Sequence, residues 1–399
     1  MLVADSITLA TRRVVAPIQG MHRVISARWF GAAGQAATPV KRVHDAVSDV
    51  VYGSIRVGGA AVGHILDSRI PDTSPTSESV QSVVNGLWGD ALGRYGGQLE
   101  IPMSVRDRSG ASVVLPTDLG GAFPDATGHL VVLVHGLVET GRCWEGSEDE
   151  PGLVETLGAH PLLTPVAIRY NSGLRVSDNG DQLASLLEEL RADWPAPVES
   201  ISLVGHSMGG LVIRSACGIA ASSDLRWLRD VRDVVTLGTP HRGSPLEKAA
   251  NVAAWALAFA PDTRPLADFL NGRSGGIKDL RFGSVGEDDW RGTDPDVLLS
   301  NTVGDHPLSS GIRHHFVAGV ATADPAHPFG AAVGDLVVRA NSATGRQNLN
   351  PTNVAVLGGV SHLDLPRDPV VVERVMAWLT EKPTGEVPYS FDSALSATV

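Results

Sequence analysis

SLVGHSMGGLV, residues 202–212, places a serine between two glycines where an apolar run gives way to a helical pattern. Two readings fit. One is a strand-to-helix turn in which small residues merely let the backbone bend. The other is a nucleophile elbow, G-x-S-x-G, here Gly205-His206-Ser207-Met208-Gly209. In such an elbow the nucleophile sits on a tight, strained turn and the glycines relieve crowding around it. The pentapeptide also occurs by chance, so the surrounding chain must decide.

Outward from the motif, strands and helices alternate. HLVVLVHG is a continuous apolar run ending in glycine, the pattern of a strand buried on both faces of a parallel sheet. PVAIRY follows, then a helix over about Asp181–Asp193, the strand ISLVG, a helix from Ser207 to about Ala221, and the strand DVVTLG. LEIPMSVR and ASVVL, joined by DRSG, read as a hairpin in front of this series. Alternation at this spacing predicts an α/β class with a mostly parallel, doubly wound sheet. It breaks after GTPHRGSP, where residues of about 245–312 carry AANVAAWALAFA and then a Gly/Asp-rich segment, a candidate cap insertion. It resumes with HHFVAGVAT, NVAVLGG and a closing amphipathic helix, DPVVVERVMAWL. The α/β domain is thus expected over 98–382, with a polar tail at 383–399.

Residues 1–97 read as a helical accessory region. Val40, Val43, Val47, Val50, Val51 and Ile55 form one helical stripe, resuming at Val62 and Ile65 beyond Gly58 and Gly59. Val80, Val83, Val84, Leu87 and Ala91 form another. Val14, Ile18, Met21 and Ile25 suggest a third helix, with Pro17 an awkward interior guest.

Of the 399 residues, 43% are hydrophobic, enough for a sizeable core. The two cysteines, Cys143 and Cys217, exclude a disulfide framework and a CxxC metal site. No run approaches the roughly 20 apolar residues of a membrane span. The first thirty residues lack a secretory h-region, so the default expectation is a soluble, cytoplasmic protein. A net charge of −12 argues against nucleic acid as a partner. The charge is uneven: Arg12, Arg13, Arg23, Arg28, Lys41 and Arg42 occur between Asp5 and Asp45 with no acidic residue among them. With Trp29 and Phe30, that is the composition of a segment in peripheral contact with an anionic membrane. Packing of the same basic helices on an acidic domain is the competing reading.

A serine hydroxyl needs a base within hydrogen-bond reach, and that base needs an orienting acid. In sheets of this kind such groups gather beyond the carboxyl ends of the strands, where Ser207 stands. His206 neighbours Ser207, but its side chain should point away. His362, in LGGVSHLDLP between the last strand and the last helix, is the preferred base. The acid should follow HHFVAGVAT; Asp335 in AAVGDLVVRANS is preferred and Asp324 is the runner-up. The order Ser207, Asp335, His362 is that of α/β-hydrolases. The N–H of Leu137, after His135-Gly136, and the N–H of Met208 are the expected oxyanion donors, each typically worth about 3 kcal/mol to a transition state.

VLVHGL, RYNSG, LVGHSMGGLVIRSA, VVTLGTPHRGSPLE, GDLVV and GVSHLDL together resemble the lipase/esterase branch of the α/β-hydrolase fold. They are most similar to bacterial lipases related to the GPI inositol-deacylase-like group, over roughly residues 99–380. The resemblance implies a carboxylic-ester hydrolase acting on an acyl-ester or lipid substrate through an acyl-enzyme, with no metal or organic cofactor. It gives Ser207, Asp335 and His362 the triad roles and Leu137 and Met208 the oxyanion hole. A thioesterase or acyltransferase would use the same triad with another acceptor. A peptidase, a cofactor-free haloperoxidase and a non-catalytic binding module are the remaining alternatives. Nothing in 245–312 matches a substrate motif, so the acyl preference stays open.

Overall fold

The computed structural model describes residues 2–32, 74–92, 99–147, 149–259, 261, 263–325, 334–335, 337–345 and 349–381, with scattered positions between 38 and 56. The stripe Val40–Ile55 and its continuation at Val62 and Ile65, like the tail at 383–399, lie outside the described residues.

Among the described residues, eight strands form one sheet: β1 Ser104–Arg106, β2 Ser112–Val113, β3 His129–Val134, β4 Leu163–Arg169, β5 Ser200–His206, β6 Val231–Leu237, β7 Arg313–Val320 and β8 Asn353–Gly358. Their order is β2-β1-β4-β3-β5-β6-β7-β8. The β1–β2 hairpin is antiparallel, as DRSG predicts, and β1 pairs antiparallel with β4. Every pairing from β4 through β8 is parallel. The helices are α1 Leu2–Ala32, α2 Pro75–Leu92, α3 Leu153–Ala159, α4 Val176–Asp193, α5 Met208–Ser222, α6 Pro245–Ala258, α7 Arg264–Asn271, α8 Gly275–Asp279 and α9 Pro369–Thr380, besides shorter turns.

The central strands serve two cores because consecutive side chains point to opposite faces. Leu130, Val132 and Val134 of β3 pack with Leu183, Leu187 and Leu190 of α4 and with Leu211, Val212 and Ala216 of α5. Val131 and Leu133 join Leu157 of α3 and Val371, Val375 and Leu379 of α9 on the other face. That two-sided burial explains the unbroken apolar runs. Each fully buried Val or Leu contributes about 1.5–3 kcal/mol relative to exposure. The architecture is an α/β-hydrolase sheet.

One expectation needs correction. α4 begins at Val176 rather than near Asp181, because the Asp279 carboxylate accepts from Val176 N (2.9 Å) and anchors the first turn. As expected, α1 holds Pro17 in its interior. Of its apolar stripe, Val14, Ile18 and Ile25 are exposed, while Leu9, Val15, Gln19 and Ser26 are buried.

α1 lies against α7, where an added Cβ on Gly20 would come within 3.0 Å of Pro265 Cβ. α2 reaches further in, and a Cβ on its Gly86 would sit 2.4 Å from Val138 Cγ1 in the loop after β3. Ser274 Oγ donates to Gly86 O (2.6 Å), tying the insertion to the same helix.

Candidate active site

Strand β5 ends at His206 and helix α5 begins at Met208, so Ser207 occupies the whole turn. Its backbone has φ 51° and ψ −120°, a strained region for a residue with a Cβ. The turn is held by Ser207 N donating to Leu237 O (2.8 Å). The flanking glycines are required by close approach. A Cβ on Gly209 would lie 2.1 Å from Val134 O, and one on Gly205 would lie 2.6 Å from Gly210 N.

Three residues far apart in the chain converge here. His362 Nε2 lies 2.9 Å from Ser207 Oγ, and His362 Nδ1 lies 2.7 Å from Asp335 Oδ2. All three side chains are buried. The other oxygen of Asp335 accepts from Val337 N (3.1 Å) and Val338 N (2.8 Å), which fixes the carboxylate. Asp335, not Asp324, is the partner of His362. With the Asp335 carboxylate on Nδ1, the imidazole carries its proton there and leaves Nε2 to accept from the serine hydroxyl. TLGTP has a physical explanation too: Gly238 (φ 61°) leaves space that a Cβ would fill 3.1 Å from His362 Cε1 and Nδ1.

The loop after β3 passes directly over the serine. A Cβ on Gly136 would lie 3.0 Å from Ser207 Cβ, which puts Leu137 at the mouth of the turn. Val138 has φ 58° and donates its N–H to Ser172 Oγ (3.1 Å). Met208 is fully buried at the start of α5, where helix N–H groups have no partner within the helix and the dipole is positive. Helix α8 packs against it, since a Cβ on Gly276 would lie 3.2 Å from Met208 Cε.

Sequence reasoning missed Glu139. Its Oε2 accepts from Gly136 N (2.6 Å) and lies 2.8 Å from His206 Nδ1. His206 does point away from Ser207, and its Nε2 lies 2.9 Å from His362 O. Both ring nitrogens therefore face acceptors, which only an imidazolium satisfies. Burial opposes that charge, but the Glu139 carboxylate outweighs it and raises the His206 pKa. Burial likewise pushes Glu139 up, yet the His206 charge and its hydrogen bonds bring it down to about 2. Next door, His135 is held neutral by burial, which lowers it to about 4. The ion pair thus ties the loop over Ser207 to the backbone of His362. Its only sequence signal is the polarity of GHS and VET, whose contact spans 67 positions.

Residues 176–256 match the PGAP1-like alpha/beta domain. That stretch runs from α4 through the elbow and β6 into α6. The chain is also similar to triacylglycerol lipases of Pseudarthrobacter phenanthrenivorans and Burkholderia plantarii, each 33% identical over 123 residues, or 30% of this chain. The match spans only about a third of those relatives, 35% and 31% of their lengths. Among solved structures, Bacillus licheniformis lipase BlEst2 in its mature form aligns over 63% of this chain and 91% of its own, at 22% identity and TM-score 0.42. The PGAP1-like stretch holds Ser207 and Met208; Leu137, Asp335 and His362 lie outside it. Among the described residues, no cluster of three or more His, Cys, Asp or Glu is arranged to hold a metal ion. No described helix is long and apolar enough to cross a membrane.

Proposed function

We propose that the chain is a carboxylic-ester hydrolase acting on acyl or lipid esters. Ser207 is the nucleophile, His362 the general base and then acid, and Asp335 its orienter. The observation that carries this reading is the Asp335–His362–Ser207 hydrogen-bonded series, 2.7 and 2.9 Å, on a serine at φ 51°. His362 Nε2 takes the hydroxyl proton as Ser207 Oγ attacks the ester carbonyl. The N–H groups of Leu137 and Met208 stabilise the oxyanion, and the protonated histidine passes its proton to the leaving alcohol. Water, deprotonated by His362, then releases the acid from the acyl-enzyme. Similarity to triacylglycerol lipases supports the ester class.

Within this reading, 98–382 is the catalytic domain, 245–312 its cap and 1–97 an accessory region. Packing of α8 on Met208 supports the cap. Trp255 on α6 and Phe259 just beyond its end, however, stand 45% and 71% exposed with their rings edge to face, so they do not line the serine. Together with exposed Val14, Ile18 and Ile25 on α1, they support peripheral contact with a lipid surface. Ser207→Ala should abolish ester hydrolysis and fluorophosphonate labelling with the fold intact; labelling of another serine would overturn the assignment. Co-sedimentation with anionic vesicles tests the surface. If Trp255→Ser/Phe259→Ser protein pellets as well as the parent chain, that face is not the contact.

A further inference from the structure

Beside strands β1 and β4 lies a cavity of about 440 Å³ whose lining includes none of Ser207, Asp335 and His362. This falls in the range of small-molecule pockets, about 300–1,000 Å³. The register opposes Arg106 to Ala167 and Ser104 to Arg169, so Arg106, Ala167 and Arg169 project to one face of the sheet. Val154 and Ala159 of α3 supply apolar wall opposite them.

Four arginines, Arg106, Arg108, Arg142 and Arg169, and four carboxylates, Glu78, Asp107, Glu145 and Glu155, line this cavity. Arg106, Arg142 and Arg169 gather around Glu78, which stands 3.6 Å from Arg169 and 3.8 Å from Arg142, within ion-pair range but too far for hydrogen bonds. The other carboxylates have separate engagements. Asp107 accepts from Ser109 N (2.8 Å) and Ala111 N (2.9 Å) in the hairpin turn. Glu155 accepts from Gly146 N (3.2 Å), and Glu145 meets Arg142 at 3.2 Å on the exposed rim. Arg169 is nine-tenths buried, its side chain 10% exposed. Arg169 Nη2 donates to Gln81 Oε1 (2.7 Å) and Arg106 Nη1 to Gly110 O (3.1 Å), while the Nε atoms of both are buried with no hydrogen-bond partner among the described residues. Burial, and for Arg169 the neighbouring Arg106 charge, hold both guanidinium groups below their ordinary pKa. Desolvated cations are relieved by an anion, and the planar guanidinium fork matches an oxyanion in two hydrogen bonds.

We propose that this cavity binds a compact oxyanion carried on a small apolar body, the head being a carboxylate or a phosphate monoester. The arginines take the head, and Val154, Ala159 and Ala167 take the body. The site stands independently of the role given to Ser207.

Calorimetric titration of full-length Ser207→Ala protein with hexanoate, hexyl phosphate, inorganic phosphate and hexanol tests it. One saturable site is expected for hexanoate or hexyl phosphate, the tighter of the two naming the head. Arg106→Gln should weaken that binding about tenfold or more. Val154→Phe, which fills the opposite wall, should weaken it likewise and serves if Arg106→Gln does not fold. Absence of saturable binding by both anions, hexanol binding as tightly, or inorganic phosphate binding as tightly as hexyl phosphate overturns the proposal. So does binding unchanged in a folded variant.

Discussion

Asp335 divides its oxygens between the backbone and His362: Oδ1 accepts from Val337 N and Val338 N, and Oδ2 meets Nδ1. Asp335→Asn preserves the shape but presents an amide where a carboxylate fixed the tautomer. Turnover should fall by a factor of the order of 10⁴, while Asp324→Asn stays near the parent rate. The reverse result would return the role to Asp324. Sequence order narrowed the acid to these two aspartates, because both follow β7, and the glycine-preceded turn ahead of an apolar run favoured Asp335. Glu139 was not legible at all, since its partner belongs to another strand end. Removing its charge with Glu139→Gln leaves the His206 imidazolium buried and unpaired, a loss of about 3–5 kcal/mol in stability for pairs of this kind. Slower turnover should accompany it, since the same ion pair joins the loop over Ser207 to the backbone of His362. A variant with parent stability would show that His206 is neutral in the fold.

Elements were legible where burial leaves a simple pattern. The apolar runs within β3, β5 and β6 reflect cover on both their faces, and the hairpin is announced by its turn residues. α1 shows the opposite case. Periodicity identified a helix but not which stripe meets the protein, because exposed Val14, Ile18 and Ile25 have the same spacing as a buried set. α2 was read as accessory, yet its Gly86 packs directly on Val138 beside the expected oxyanion donor Leu137. Any side chain at Gly86 must displace that valine. Gly86→Leu should therefore reduce turnover about tenfold or more through misplacement of the loop, in line with the sensitivity of oxyanion geometry. Gly218→Ala on α5, where an added Cβ meets nothing within 4 Å, is the matched control and should leave the rate unchanged. Equal rates for both variants would show that α2 does not set the loop.

At the scale of the whole molecule, buried titratable groups set how stability responds to pH. Burial lowers His135 and His314 to about 4 and holds His241 well below its ordinary 6.5, so all three stay neutral in the fold. Unfolding lets them bind protons below pH 6.5, so each removes stability as pH falls. Asp279 acts in the opposite sense: burial raises it from 3.8 to about 6, so the folded chain holds an extra proton between those values. Three histidines against one aspartic acid leave about two protons taken up on unfolding between roughly pH 4.5 and 6, a slope near 2.7 kcal/mol per pH unit. Above 6.5 the sign reverses. His206 has a raised pKa, so its contribution is complete below 6.5 and is lost as pH rises through the folded value. Stability measured by denaturant unfolding across pH should therefore peak near 6.5 and fall more steeply on the acid side. His135→Asn should reduce the acid slope by about one proton, near 1.4 kcal/mol per pH unit. A profile flat between pH 4.5 and 6.5, or a slope unchanged in that variant, would show that His135 exchanges its proton in the folded chain.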